Sequence, residues 1–135
     1  MINPLHVRTI VVKPALQEIG VWSQVAEELV MTTGMQESRY RALRQFGGGH
    51  ALGFWQMEPA THQDLWDNFL QYRPELALKV QRLMTHGLSH DDTKEELATN
   101  LAYAAAMCRI HYYRAPSPLP GKNLNEMADY WKTWY

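Results

Sequence analysis

The chain has 135 residues, 46% of them hydrophobic, with 13 basic side chains against 14 acidic ones and a pI near 6.6. That length fits one domain over 1–135 with a real core, and the apolar content excludes a disordered chain. A near-neutral balance argues against nucleic acid as the main partner, because phosphate binding calls for a basic surface.

The first residues, Met1 to Arg8, carry neither the apolar stretch nor the small-residue cleavage site of a secretory signal. Synthesis in the cytoplasm is expected, and a target outside it would need another route. Pro14 begins the first predicted helix, whose periodicity runs through Leu16, Ile19 and Gly20. A stronger one covers about Val21 to Glu37, where Trp22, Ala26, Leu29, Val30 and Thr33 recur at helical spacing. Gly34 weakens it near its end. Residues 38–58 hold four of the eight glycines (Gly47, Gly48, Gly49 and Gly53) and no helical stripe, which predicts a loop with a small hairpin.

Pro59 opens the next helix, carrying Leu65, Trp66, Phe69 and Leu70. Pro74 opens another, with Leu76, Val80, Leu83 and Met84, stopping near Gly87. Thr93 to Glu96 has the form of a capping box, predicting a long helix to about Tyr113. Its stripe includes Leu97, Leu101, Ala104, Ala105 and Cys108, with alanines small enough to let a neighbouring helix approach. Cys108 is the only cysteine, so no internal disulfide forms, and it reads as a small buried hydrophobe. The proline-rich connector Ala115–Gly121 cannot be helical. A last helix from about Asn123 carries Leu124, Met127, Ala128, Trp131 and Trp134. No alternating run is long enough for a sheet and no apolar run spans a bilayer, so the class is all-α, without membrane insertion.

Counting back from Glu37 in helical steps gives Thr33, Val30, Ala26 and Trp22, one apolar face. Glu37 therefore ends a core-facing stripe, where desolvation raises a carboxyl pKa. A carboxylic acid that stays protonated near neutral pH can donate to a glycosidic oxygen. An ordinary ion pair with Arg41, four residues on, is the competing reading. Glycosidases usually employ two carboxylates, yet Glu58 reads as a complement to the helix N-terminus at Pro59, and Asp64 and Asp67 as solvated positions. Gln56 follows Gly53-Phe54-Trp55, and its amide donates and accepts at once. Phe54, Trp55 and Trp66 offer faces for stacking on sugars, although aromatics at these spacings more often belong to a core. The six histidines, at 6, 50, 62, 86, 90 and 111, form no metal-binding pattern. Neither a nucleophile elbow nor a phosphate loop is present, so no metal or cofactor is expected.

Taken together, these residues resemble the lytic transglycosylase and goose-type lysozyme superfamily, especially its soluble lytic transglycosylase domain. That family has Glu-Ser at a helix end, a loop with Gly-x-x-Gln, and a helix beginning after proline. The matching residues are Glu37-Ser38, Gly53-Phe54-Trp55-Gln56 and Glu58-Pro59-Ala60-Thr61. Asn100 looks like the family's Asn opening a long helix, and Tyr135 like the tyrosine of a Tyr-Asn pair near its end. The wording around Gln45-Phe46-Gly47-Gly48-Gly49 is most similar to versions carried by bacterial viruses. Among the departures, the family's loop serine falls on Gly47 and its first glycine there on His50. The tyrosine expected seven residues after Asn100 is Met107, with Tyr103 one turn earlier, and the chain stops at Tyr135 where the family continues with Asn.

The resemblance implies a lysozyme-like single helical domain with a glycine-rich active-site loop, acting on peptidoglycan glycan strands. Glu37 would cleave the β-1,4 bond between N-acetylmuramic acid and N-acetylglucosamine, leaving a 1,6-anhydro product. Gln56 and Tyr135 would hold the sugar, with Tyr103 and Phe54 as further substrate contacts. Attack by water would make the same fold a muramidase. A catalytically idle virion structural or glycan-binding module is the other class of function. Delivery would be through a holin pore, or within a virus particle among other virion proteins.

Overall fold

The computed structural model describes residues 2–85 and 93–135. Asn3 opens the first helix, its side chain accepting a hydrogen bond from the Leu5 N–H at 2.9 Å. Helix α1 (Pro4–His6), a π-helical segment (Val7–Val12) and α2 (Lys13–Glu18) then run on without a break. The helix expected to start at Pro14 thus begins ten residues earlier. Proline lacks an N–H and crowds the preceding turn. Here it follows widened turns, the Lys13 N–H reaching back to the Arg8 carbonyl. Val7, Val12, Ala15 and Leu16 are buried.

Ser23 caps α3 (Gln24–Glu37), its Oγ accepting from the Ala26 N–H at 3.0 Å. Ala26, Leu29, Val30 and Thr33 face the core as expected. Trp22 does not: it precedes the cap, is 39% exposed, and donates from its indole to Glu27 Oε1 at 2.9 Å. Arg8 bridges Glu27 and Glu28 at 2.7 Å each, pinning the N-terminal helix to α3. Gly34 serves packing. A Cβ there would lie 2.5 Å from the Tyr40 ring, whose hydroxyl donates to the Met31 carbonyl at 2.6 Å.

The chain leaves α3 through two left-handed residues, Arg39 and Tyr40 (φ 53° and 55°). In the following loop the expected hairpin reduces to isolated bridges, Arg44 with Leu52 and Leu52 with Met57, beside a 3-10 turn at Phe46–Gly48. Gly53 has φ +78°, and a Cβ there would sit 1.9 Å from the Leu97 carbonyl oxygen. Only glycine lets the loop lie this close to the Leu97 backbone.

Helices α4 (Pro59–Asn68) and α5 (Pro74–Gln81) start at their prolines. Leu83 and Met84 lie beyond the end of α5, and Gly87 is outside the described residues. The single long helix expected from Thr93 is instead a 3-10 turn (Thr93–Glu95), α6 (Glu96–Thr99) and α7 (Leu101–Arg114). Asn100 (φ −123°, ψ 97°) breaks them apart and caps α7, its side chain accepting from the Tyr103 N–H at 3.0 Å. The same side chain donates to the Leu83 carbonyl at 2.7 Å and to Glu96 at 3.0 Å. Helix α8 (Leu124–Trp134) is capped by Asn123.

The fold is all-α, and α7 is its axle. One side of α7, with Ala104, Ala105, Cys108 and Tyr112, packs with the N-terminal helices, α3, Trp55 and α8. The other, with Tyr103, Ala106, Met107 and Ile110, packs against Leu65, Trp66 and Leu70 from the α4 region and Val80 of α5. Among the described residues no helix is long and apolar enough to cross a membrane.

Candidate active site

Glu37 is the last residue of α3, so the apolar face that buries Ala26, Val30 and Thr33 carries it to the edge of the core. Its carboxylate is half-buried, and Oε1 accepts a 2.8 Å hydrogen bond from the indole N–H of Trp131 on α8. Burial pushes the Glu37 carboxyl above its ordinary pKa, while the Trp131 hydrogen bond opposes this more weakly. No ion pair joins Glu37 to Arg41 among the described residues. The left-handed turn at Arg39 and Tyr40 removes the i,i+4 relation that such a pair needs.

Ser38 explains why a serine follows the glutamate. Its hydroxyl donates to the Phe54 carbonyl at 2.7 Å and accepts from the Tyr40 N–H at 3.1 Å, tying the helix end to the glycine-rich loop. On that loop Gln56 takes a left-handed conformation (φ 47°) and donates from its amide to the Gly53 carbonyl at 2.7 Å. Trp55 is buried and donates to the Val30 carbonyl at 2.8 Å. Its own carbonyl accepts from the Tyr135 hydroxyl at 2.6 Å, which seats the chain's last side chain beside the loop.

These side chains surround adjoining hollows. One of about 440 Å³ is walled by Gln36, Glu37, Arg41, Gln45, Gln56 and Glu58. Glu37, Gln56 and Glu58 are shared with a smaller one of about 110 Å³, completed by Met57, Thr61, His111 and Tyr135. Gln36 is shared with a third, of about 190 Å³, between α3 and α8. Glu37 thus lies in a cleft where two hollows meet, sharing Glu37, Gln56 and Glu58 as common wall. Hollows of similar or larger size lie on other faces, about 450 Å³ beside Tyr72 and about 660 Å³ beside Gln71. Size does not choose among them; the half-buried carboxyl opening into the cleft does.

The structure brings Glu37, Gln56 and Tyr135 together and leaves Phe54 and Tyr103 in the core. Phe54 is 4% exposed, edge-on to Tyr40 with ring centres 5.5 Å apart. Tyr103 is 0% exposed, its hydroxyl shared with His62 Nε2 at 2.7 Å and the Trp66 indole at 2.9 Å. Both are corrected to structural residues, because neither ring has a face open to a sugar. Trp55 and Trp66 are likewise core.

Glu58 occupies the N-cap position of α4 but makes no capping hydrogen bond, and its side chain borders the cleft. Asp64 pairs with Arg114 and Asn68, and Asp67 accepts from Gln63 at 3.0 Å. Among the described residues no cluster of three or more His, Cys, Asp or Glu side chains could hold a metal ion; His86 and His90 lie outside those residues.

Sequence reasoning missed Trp131 and His111. A half-buried indole needs an acceptor for its N–H, a signal that does not name a partner 94 residues away. In the sequence His111 is one of six scattered histidines; in the fold it lies between the buried Ile110 and Tyr112. Comparison of the chain with protein-family models, curated proteins and solved structures finds no match.

Proposed function

We propose that this protein is a lysozyme-like, peptidoglycan-cleaving lytic transglycosylase with Glu37 as its acid and base. The observation that carries the reading is the half-buried Glu37 carboxyl, held by Trp131, raised in pKa and lining a cleft with Gln56. The protonated carboxyl would give its proton to the oxygen bridging N-acetylmuramic acid and N-acetylglucosamine as the glycosidic bond breaks. The carboxylate would then take the proton of the muramic 6-hydroxyl as that oxygen bonds to C1. This closes the 1,6-anhydro ring and returns Glu37 to its starting state. Gln56 and Tyr135, on the same walls, would hold the sugar near the scissile bond. A substrate-supplied nucleophile removes the need for a second carboxylate. The test is loss of turbidity of purified cell walls, with clearing by the wild type and none by Glu37→Gln. Equal clearing by both proteins would remove Glu37 from the chemistry.

Glu58, on the wall of the same cleft, favours a second reading, hydrolysis by a water that Glu58 activates. Under it, Glu58→Gln would abolish reducing-end formation; under the first, that substitution leaves anhydro product forming. An idle glycan-binding or virion structural module would bind chitooligosaccharide with no turnover of walls. Carriage within a virus particle would place the protein in purified virions by mass spectrometry.

A further inference from the structure

His111 lines the small hollow beside Glu37 and takes no part in the scheme above. It projects from α7, a helix buried from Tyr103 to Ile110, and its ring lies against Tyr135 with centres 4.8 Å apart. Nδ1 is sealed from solvent and has no hydrogen-bond partner. An orphaned buried N–H is rarer than an orphaned acceptor, so the ring proton is placed on Nε2, the nitrogen of this hollow-lining ring that is not sealed. Burial and the nearby Arg114 guanidinium hold the imidazole pKa down to about 4, so the ring is neutral at physiological pH. The hollow therefore presents a fixed, uncharged N–H donor. Beside it stand Met57 and Tyr135, with Glu37, Gln56, Glu58 and Thr61 forming the polar remainder of the hollow's wall. Its volume of about 110 Å³ is a quarter of its neighbour's, room for a few waters or a short substituent rather than for a whole sugar ring.

A carbonyl oxygen carrying a methyl group matches that combination of donor, apolar wall and small volume. Resting on the glycan-cleaving reading, we propose that His111 is a specificity-determining residue. Its Nε2–H donates to the acetamido carbonyl of the N-acetylated sugar beside the scissile bond, while Met57 and Tyr135 pack the acetyl methyl. A site holding this group discriminates against an analogue lacking it, because the donor is then left unpaired.

The test is calorimetric titration of the full chain with chitotetraose and with cellotetraose, a neutral analogue bearing hydroxyl in place of acetamido. Wild type is expected to prefer chitotetraose. His111→Ala is expected to lose about 3- to 10-fold of that affinity, the range for one hydrogen bond, and to leave cellotetraose binding unchanged. His111→Gln, which keeps a side-chain N–H, restores most of the preference, a rescue that a packing role would not give. Thermal melts confirm that both variants are folded. A folded His111→Ala that discriminates as the wild type does, or a wild type that binds both sugars alike, overturns the proposal. Muropeptide release by wild type in those cases leaves the glycan-cleaving reading standing; a wild type that neither binds nor cleaves overturns both.

Discussion

Replacing Trp131 by Phe removes the hydrogen bond that its indole gives Glu37 while keeping most of the ring volume that shields it. The indole donates to Oε1 at 2.8 Å and so stabilises the carboxylate over the acid. Hydrogen bonds to charged groups contribute about 1.5–3 kcal/mol. This one is part-buried, so the low end applies, about 1.5 kcal/mol after solvent screening. The protonated carboxyl still accepts from the indole, at about 0.5–1.5 kcal/mol for a neutral pair, so only the difference, up to about 1 kcal/mol, favours the carboxylate, and its loss should move the titration of Glu37 upward. Burial, the larger influence and the one that raises the pKa, stays in place. A general acid works only while protonated, so the alkaline fall of the rate should shift to higher pH. The assay is wall clearing against pH, paired with a carbon-detected NMR titration of the Glu37 side chain that needs no turnover. An unchanged or lowered titration point in Trp131→Phe would refute the reasoning.

Other consequences concern stability and the roles of core residues. Because burial raises the Glu37 pKa in the fold, its ionisation opposes folding above the ordinary carboxyl range near 4.3. Glu37→Gln should therefore melt higher than wild type at pH 7, with the gain vanishing as pH falls below about 4; a constant difference across that window contradicts the linkage. Gly34→Ala should destabilise by up to about 2 kcal/mol in urea titrations, since overpacking costs about 1–3 kcal/mol against about 1 kcal/mol of helix propensity gained, and the Met31 carbonyl holds the Tyr40 ring in place. Stabilisation by that change would show that the ring moves aside. Tyr103→Phe should cost about 1–3 kcal/mol by removing the two hydrogen bonds its hydroxyl makes with His62 and Trp66. At a temperature where the variant stays folded, its wall-clearing KM should be unchanged, whereas a raised KM would restore Tyr103 as a substrate contact.

Much of this architecture can be read from residues whose effect is local. Pro59 and Pro74 start helices because a first turn does not need their missing N–H. Asn123 caps because its side chain reaches the Asn125 N–H two residues on. The position of Glu37 at the end of an apolar face follows from periodicity and is where α3 stops. What escapes the sequence depends on distant partners. Pro14 resembles a helix start, and only the π-helical turns before it let the helix run through. Asn100 overrides the Thr93 box by bonding to Leu83 and Glu96 as well as capping α7. Phe54 and Tyr103 look suited to sugar contacts, and the core takes them because Tyr40, His62 and Trp66 supply partners there. In the cleft, the glutamate and its loop glutamine are legible as a motif. The indole that holds the glutamate and the histidine that shares its hollow arrive from α8 and α7, and only the folded chain brings them in.

Mass spectrometry of muropeptides released from purified peptidoglycan tests the central claim most directly. The account predicts 1,6-anhydromuramic ends from the wild type and none from Glu37→Gln. Reducing ends that depend on the same glutamate would contradict the transglycosylase chemistry in favour of hydrolysis, and no release by the wild type would contradict the enzyme assignment itself.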